Sequence, residues 1–349
     1  MKKKEYIFLS TGYSGGASQF IYDHINYLSK MKKRTILVDD EPFKTYPKIP
    51  KKTYIKKIKI NKFSFTSNKK LKKLISNIKS DKIVFLTNYA FLLRYFSLVN
   101  KLKREKIKIV LTIHSGLLDL TIKKYLAGFI FSFLYKKIDY LYFGSNSAKK
   151  WWVRFYPWMD IKKNLVHFNG VELQNKLKLK KKSKKLSISF VGRLEKENNP
   201  EFFLKIANDY LKDFNNAIFN IYGLGTMYNR LRNISKYKEI KFNGWKDKRQ
   251  IYTNSDIIII TSKINNFPYV ALEAKSYGIP VISCSKGDIK RIIKNNFDGY
   301  INYTNSSKKI INFIKKIKKN YSKFSRNSIQ RSKLFEINMA CKKFWKKIL

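Results

Sequence analysis

Short β-rich runs alternate with longer helical stretches along the whole chain, and the alternation restarts once, after a Lys-dominated connector at 176–185. A strand, a crossover helix and a second strand are the unit from which parallel sheets are built. In the first half, strands are expected at 6–9, 35–38, 82–87, 108–113, 140–143 and 164–168, with helices at 18–30 and 117–137. In the second half, strands are expected at 187–191, 217–222, 240–243, 256–261 and 280–283. The four isoleucines at 257–260 have the length and branching of a strand buried on both faces. Residues 270–277 read as a helix stopped by Gly278 and Pro280. A chain of 349 residues exceeds one ordinary core of ~100–200 residues, so two domains with a cleft between them are expected. The expected division is 1–172, a linker at 173–185, a second domain over 186–320, and a helical tail at 321–349 that crosses back to the first domain.

The 75 Lys and Arg against 23 Asp and Glu give a formal charge of +52. Lys, Asn and Ile are abundant together, as codon drift in a genome rich in A and T would produce, and attraction to an anionic inner-membrane surface can add to it. The basic residues are spread along the chain with no base-reading module, so nucleic acid is not an expected partner. Cys284 and Cys341 are far apart in sequence, which indicates neither a disulfide framework nor a Cys-rich metal site and fits a reducing compartment. The apolar run near the start is too short for a secretory signal, so a cytoplasmic protein, peripheral on the inner face of the membrane, is expected. The most apolar stretch, 125–135, falls short of the ~20 residues that span a bilayer. It reads as a buried helix or, because Lys123, Lys124, Lys136 and Lys137 flank it, as a helix lying in the membrane interface. His24, His114 and His167 lack metal-ligand spacing, and no metal is expected.

Ligands of open α/β sheets collect beyond the carboxyl ends of the strands, and four loops there carry unusual residues. After the first strand, Gly12, Gly15 and Gly16 leave a bare backbone at a helix start, suited to a phosphate or simply to a tight turn. His114 ends the strand at 108–113, placed to bond a substrate hydroxyl or phosphate, or to cap the next helix. Gly192 and Arg193 close the strand at 187–191, where the guanidinium can clamp a diphosphate or form a surface salt bridge. In the fourth loop, Phe267, Pro268, Tyr269 and Val270 present a helix start to an anion and Glu273 can accept the two hydroxyl hydrogens of a ribose, the competing reading being a plain amphipathic helix.

These loops in this order, with YGLGT at 222–226 and FNGVE at 168–172, resemble the retaining glycosyltransferases of family 4. The resemblance spreads over nearly the whole chain and is most specific from Ser189 to Gly299. It implies the α/β fold called GT-B, two Rossmann-like βα domains facing a central cleft. It also implies a nucleotide-diphosphate sugar as donor, a UDP-sugar, with no further cofactor and no obligatory metal. Glu273 then corresponds to the later Glu of the family's E-x7-E element and holds the ribose, while Arg193 binds the diphosphate. Gly15 and Gly16 approach the diphosphate from the other domain and His114 touches the donor sugar. Two positions depart: Asn265 stands where the earlier Glu is usual, and Asn198 stands where a Lys follows the G-R-L run, with Lys196 a possible substitute cation. The implied activity is transfer of a hexosyl or N-acetylhexosaminyl group to a glycan or lipid-linked acceptor of bacterial capsule or lipopolysaccharide, with Arg193, His114 and Asn265 as the catalytic set. The alternative is a catalytically weak nucleotide-sugar-binding subunit of a glycosyltransferase complex.

Overall fold

The computed structural model describes residues 4–9, 15–39, 50–51, 53–57, 65–77, 81–86, 96–114, 122–159, 164–174 and 185–349. The chain divides into two units, Met1–Phe168 together with Ala340–Leu349, and Asn169–Met339.

The first unit runs β1 (Lys4–Leu9), α1 (Gly16–Lys30), β2 (Arg34–Asp39), β3 (Tyr54–Lys57), α2 (Phe65–Ser76), β4 (Asp81–Leu86), α3 (Phe96–Arg104), β5 (Lys108–Ile113), α4 (Ile122–Leu134), β6 (Tyr140–Phe143), α5 (Asn146–Phe155) and β7 (Asn164–Val166). Its strands form one parallel sheet in the order β3-β2-β1-β4-β5-β6-β7. Successive side chains of a strand point to opposite faces. Ile7, Leu9, Val84, Leu86, Ile109 and Leu111 accordingly share one core with Leu71, Leu98 and Trp152 from the helices. On the other face, Phe8 stacks on Phe85 at 5.1 Å and Tyr6 meets Trp345 edge-on at 5.4 Å. Phe344 also packs there, 5.6 Å from Phe85, with the Tyr142 hydroxyl donating to its carbonyl at 3.1 Å.

The second unit runs β8 (Leu186–Val191), α6 (Pro200–Asp213), β9 (Ala217–Tyr222), α7 (Tyr228–Asn233), β10 (Ile240–Gly244), α8 (Lys248–Thr253), β11 (Ile257–Ile260), α9 (Tyr269–Ser276), β12 (Val281–Ser283), α10 (Ile289–Ile292), β13 (Gly299–Ile301), α11 (Ser307–Lys319) and α12 (Tyr321–Ser332). Helix α13 (Ile337–Trp345) begins in this unit and ends in the first. The sheet is again parallel, in the order β10-β9-β8-β11-β12-β13. All four isoleucines of β11 are buried. Helix α9 packs against α12, and its Lys275 is fully buried with Asp298, Nζ to Oδ2 at 2.7 Å. The other Asp298 oxygen accepts the Lys294 amide at 2.8 Å.

Each unit thus has the strand order 3-2-1-4-5-6 that defines a doubly wound Rossmann-like sheet, the first with one strand more. The order reverses between β1 and β4 and again between β8 and β11, which are the positions where such sheets bind ligands.

Every strand expected from the sequence is present within two residues of its ends, but β3 and β13 were not anticipated. Tyr54–Lys57 reads YIKK, a short edge strand with Lys on both sides of the alternation, and Gly299–Ile301 is only three residues long. The helix expected over 117–137 runs from Ile122 to Leu134, with one 3-10 turn to Lys137. The Lys-rich connector falls largely on 175–184, outside the described residues.

Candidate functional site

At the reversal in the second unit, the loop after β8 meets the loop after β9 with no room for a side chain. Gly223 has φ +140°, and a Cβ there would lie 1.9 Å from the Gly192 carbonyl oxygen, while one on Gly225 would lie 2.5 Å from that of Leu194. Only glycine adopts that backbone and allows that approach. The Gly192 amide donates to Tyr222 O at 3.0 Å and the Leu194 amide to Leu224 O at 2.9 Å, so the pairing of the strands continues into the loops. Glu195 accepts from the Thr226 amide at 3.0 Å and from its hydroxyl at 2.6 Å, bonds that hold the carboxyl below its ordinary pKa.

Arg193 leaves this frame into solvent. Its side chain is 61 % exposed and Nη2 donates to Glu197 at 2.8 Å, so the residue forms the surface ion pair that was the competing sequence reading. Exposed pairs of this kind contribute about 0–1 kcal/mol, so little holds the guanidinium to Glu197. Lys196 is exposed beside it. Asn198 is used structurally, its amide donating to Arg193 O at 2.8 Å while its own carbonyl accepts from Thr261 at 2.9 Å. That second bond ties the β8 loop to the end of β11, across the reversal.

The loop after β11 is equally fixed. The Asn265 backbone amide donates to Lys286 O at 2.9 Å and its side-chain amide to Ser262 Oγ at 2.7 Å. Phe267 is buried, its carbonyl accepting from Asn169 Nδ2 at 2.9 Å. The chain then turns at Pro268 into α9, and no side chain caps that helix start. A helix N-terminus carries roughly half a positive charge. Glu273, one turn in, is nearly buried, with Oε2 accepting from the Tyr252 hydroxyl at 2.7 Å and Oε1 paired with Lys248. Burial and the adjacent Glu273 push the Tyr252 hydroxyl well above its ordinary pKa, so it remains a donor. A carboxylate has about four lone-pair sites, so both oxygens keep capacity for further donors.

The structure therefore brings Gly192, Arg193, Lys196, Asn265, Phe267, Pro268, Tyr269, Val270 and Glu273 to the carboxyl edge of one sheet. Sequence reasoning missed Tyr252, which fixes Glu273, and the exposed Leu224 and Trp245 that follow β9 and β10. The FNG segment at 168–170 gave a signal for Asn169 that was read only as part of a motif.

The remaining candidates lie in the first unit. Gly15, φ +127°, caps α1 without a side-chain bond, Gly16 is the first helical residue, and Gly12 lies outside the described residues. His114 follows β5, with Nε2 3.1 Å from Thr112 Oγ1 and its ring 4.6 Å from Phe20. Phe20 also contacts His24 at 4.1 Å and His167 at 5.4 Å. Burial lowers the pKa of His114 to about 4 and, with help from His114, that of His167 to about 3; His24 is also depressed well below its ordinary value. His114 is therefore a neutral imidazole at pH 7, able to donate or accept a hydrogen bond but carrying no charge.

Residues 172–334 match the family model described as glycosyl transferases group 1. This segment is similar to the glycosyltransferase group 1 domains. It contains the whole reversal in the second sheet, from Gly192 to Glu273. Over 301 residues, 80% of this chain and 78% of the relative, the sequence is 24% identical to an uncharacterized 41.2 kDa protein in the cps region of Klebsiella pneumoniae. Over 168 residues, 46% of this chain and 43% of the relative, it is 30% identical to the UDP-Gal:alpha-D-GlcNAc-diphosphoundecaprenol alpha-1,3-galactosyltransferase of Escherichia coli. The fold is similar to that of Anabaena HepE crystallised in complex with UDP-glucose, with a TM-score of 0.79, 13% identity and 99% of each chain covered. The fold is thus α/β, two parallel-sheet Rossmann-like units with structural neighbours among the GT-B glycosyltransferases.

Proposed function

We propose that the chain transfers a hexosyl or N-acetylhexosaminyl group, with retention, from a UDP-sugar to a lipid-linked or free glycan acceptor. The observation that carries this reading is the set of groups at the β8/β11 reversal: a bare glycine frame, a loosely held Arg193, a helix start with no side-chain cap and a fixed Glu273. The Escherichia coli relative is named for a UDP-sugar donor and a diphosphoundecaprenol acceptor, and the Anabaena protein was crystallised with UDP-glucose; both support the donor class.

In this reading Glu273 accepts the ribose hydroxyls, the start of α9 at Phe267–Val270 takes the diphosphate, and Arg193 exchanges its weak pair with Glu197 for the phosphates. Bond breaking at the anomeric carbon builds negative charge on the diphosphate, which Arg193, Lys196 and the helix amides neutralise as it departs. The acceptor hydroxyl attacks the anomeric carbon on the same face as the C1–O bond breaks, and its proton passes to the departing diphosphate oxygen. Asn265 offers the sugar a neutral donor and acceptor. Gly15 and Gly16 are assigned to the phosphates and His114, being neutral, to a hydrogen bond with a sugar hydroxyl rather than to proton transfer.

A weak nucleotide-sugar-binding subunit is the second reading, favoured by Asn198, whose amide is committed to the Arg193 carbonyl and supplies no charge. Donor hydrolysis measured beside donor binding separates the two, since a binding subunit shows only the latter. A panel of nucleotide sugars screened by thermal stabilisation identifies the donor, a ligand at ~100 times its Kd adding about 2.7 kcal/mol.

Two substitutions test the assignments. Glu273→Ala should weaken binding of a nucleoside diphosphate by about 1.5–3 kcal/mol, the worth of hydrogen bonds to a charged acceptor. Unchanged affinity in a folded variant removes Glu273 from the site. Arg193→Ala should reduce turnover about 10²–10³-fold with every donor, the scale of losing one group that stabilises charge on the departing diphosphate. Turnover within a few-fold of the native chain leaves Arg193 as the surface ion pair and nothing more.

A further inference from the structure

Helix α4 is apolar on two faces, and the first unit covers only one of them. Phe131 and Ser132 are buried, Phe131 against Trp152 at 5.3 Å. Ile122, Tyr125, Leu126, Phe129, Ile130 and Phe133 recur at the three- and four-residue spacing of a helix face, and each is 40–79 % exposed. The stripe does not end with the helix. Trp158, 46 % exposed, stacks on Phe133 at 5.5 Å and is held by a bond from its indole nitrogen to Ser132 Oγ at 2.9 Å. A soluble surface scatters exposed apolar residues singly, whereas this one aligns seven of them.

The chemistry of the surroundings says what covers it. Between Ile122 and Met159 the sequence holds seven Lys or Arg and one acidic residue, Asp139, which is already paired with Lys103 at 2.7 Å. Lys136, Lys150 and Arg154 are exposed on the segments that adjoin the stripe. Two copies of a chain of charge +52 repel one another, which disfavours self-association through a face rimmed by cations. An anionic bilayer complements both features, taking aromatic and aliphatic side chains at its acyl boundary and cations at its headgroups. The helix is 13 residues, about 20 Å long, and no described helix is long and apolar enough to cross a membrane. It would lie in the interface plane.

We propose that the exposed face of α4, extended by Trp158, docks the chain on an anionic phospholipid surface. The surface belongs to the first unit, outside the segment similar to group 1 domains, and the proposal stands or falls separately from the donor assignment.

The test uses the full chain and vesicles of phosphatidylcholine with or without a 30 % fraction of phosphatidylglycerol, about the charge density of an anionic leaflet. The native chain should sediment with the anionic vesicles and not with pure phosphatidylcholine. The double substitution Ile130→Ser and Phe133→Ser should lower the partition coefficient at least about tenfold, from the loss of two apolar side chains. The control Ile234→Ser and Leu334→Ser, which removes two exposed apolar residues from the second unit, should leave it unchanged. Far-UV circular dichroism and the thermal midpoint without ligand, compared across all three proteins, show whether the fold survives. Vesicle binding by the α4 variant equal to that of the native chain would sink the proposal, because charge alone would then suffice. So would a native dimer in sedimentation velocity that the α4 variant dissociates, which would make the face a self-interface.

Discussion

Lowering the pH from 7 to 5 should destabilise the N-terminal unit by at least about 4 kcal/mol. The cause is the cluster of His24, His114 and His167 around Phe20 and Phe344. In the unfolded chain a histidine takes up a proton near pH 6.5, whereas burial holds His114 to about 4 and His167 to about 3 in the folded unit. Below pH 6.5 the unfolded state therefore binds protons that the native state refuses, and stability falls as pH falls, continuing until the folded groups titrate. Each of these two groups contributes about 2 kcal/mol of the loss at pH 5, and His24 adds in the same direction. Above pH 7 the cluster has no effect. Hydrogen exchange across this interval should show the amides of α1 losing protection while those of β8 and β9 keep theirs. A His167→Phe variant should flatten the dependence. An N-terminal unit whose stability is independent of pH between 7 and 5 would mean that the imidazoles are solvated and free to charge. The same depression has a kinetic corollary: a pH profile of turnover with an inflection between 6 and 8 cannot be assigned to His114.

Replacing Lys275 alone, as Lys275→Met, should cost about 3–5 kcal/mol, the usual penalty for leaving one member of a buried ion pair uncompensated. Burial lowers the Lys275 pKa and Asp298 opposes that shift, so the ammonium depends on its carboxylate to remain charged in a fully buried place. Lys275 also donates to the Asp298 carbonyl at 3.2 Å, and Ser328 of α12 reaches the same oxygen at 3.3 Å. The pair thus fastens α9 to the segment before β13 and to α12. Because α9 also carries Glu273 and the helix start at Pro268, the variant should bind nucleotide less tightly at temperatures where it is still folded. Adding Asp298→Leu should recover part of the stability, since a well-packed apolar pair removes the orphaned charge. A Lys275→Met protein with an unchanged denaturation midpoint would show that the buried pair carries no such cost.

The doubly wound architecture was legible because its strands are buried runs with strong β-branching, and β11, four isoleucines in a row, is the plainest. β3 and β13 escaped because edge strands need neither length nor alternation; YIKK is held by its pairing with β2, which no local pattern announces. In the site, glycines and Pro268 were readable since backbone geometry admits few residue types there. The partners of Glu273 were not, because Tyr252 and Lys248 sit 21 and 25 residues earlier, on a helix whose place relative to α9 depends on the sheet order. Helix α4 shows the limit of hydropathy more sharply. Its mean apolar character is the same whether one face or both are buried, and only packing reveals that Phe131 faces the core while Ile130 and Phe133 do not.

Phe344 and Trp345 fill the aromatic face of the first sheet, yet they leave the ribosome only after the entire second unit has been synthesised. At roughly 5–20 residues per second, the 171 residues of Asn169–Met339 take about 10–30 s to emerge. Through that interval the nascent first unit holds Tyr6, Phe85 and the histidine cluster without the side chains that close over them. Translation order therefore reverses the order of completion: the unit made first matures last, and ribosome-bound chains stopped before residue 340 should recruit holdase chaperones that the released protein no longer needs.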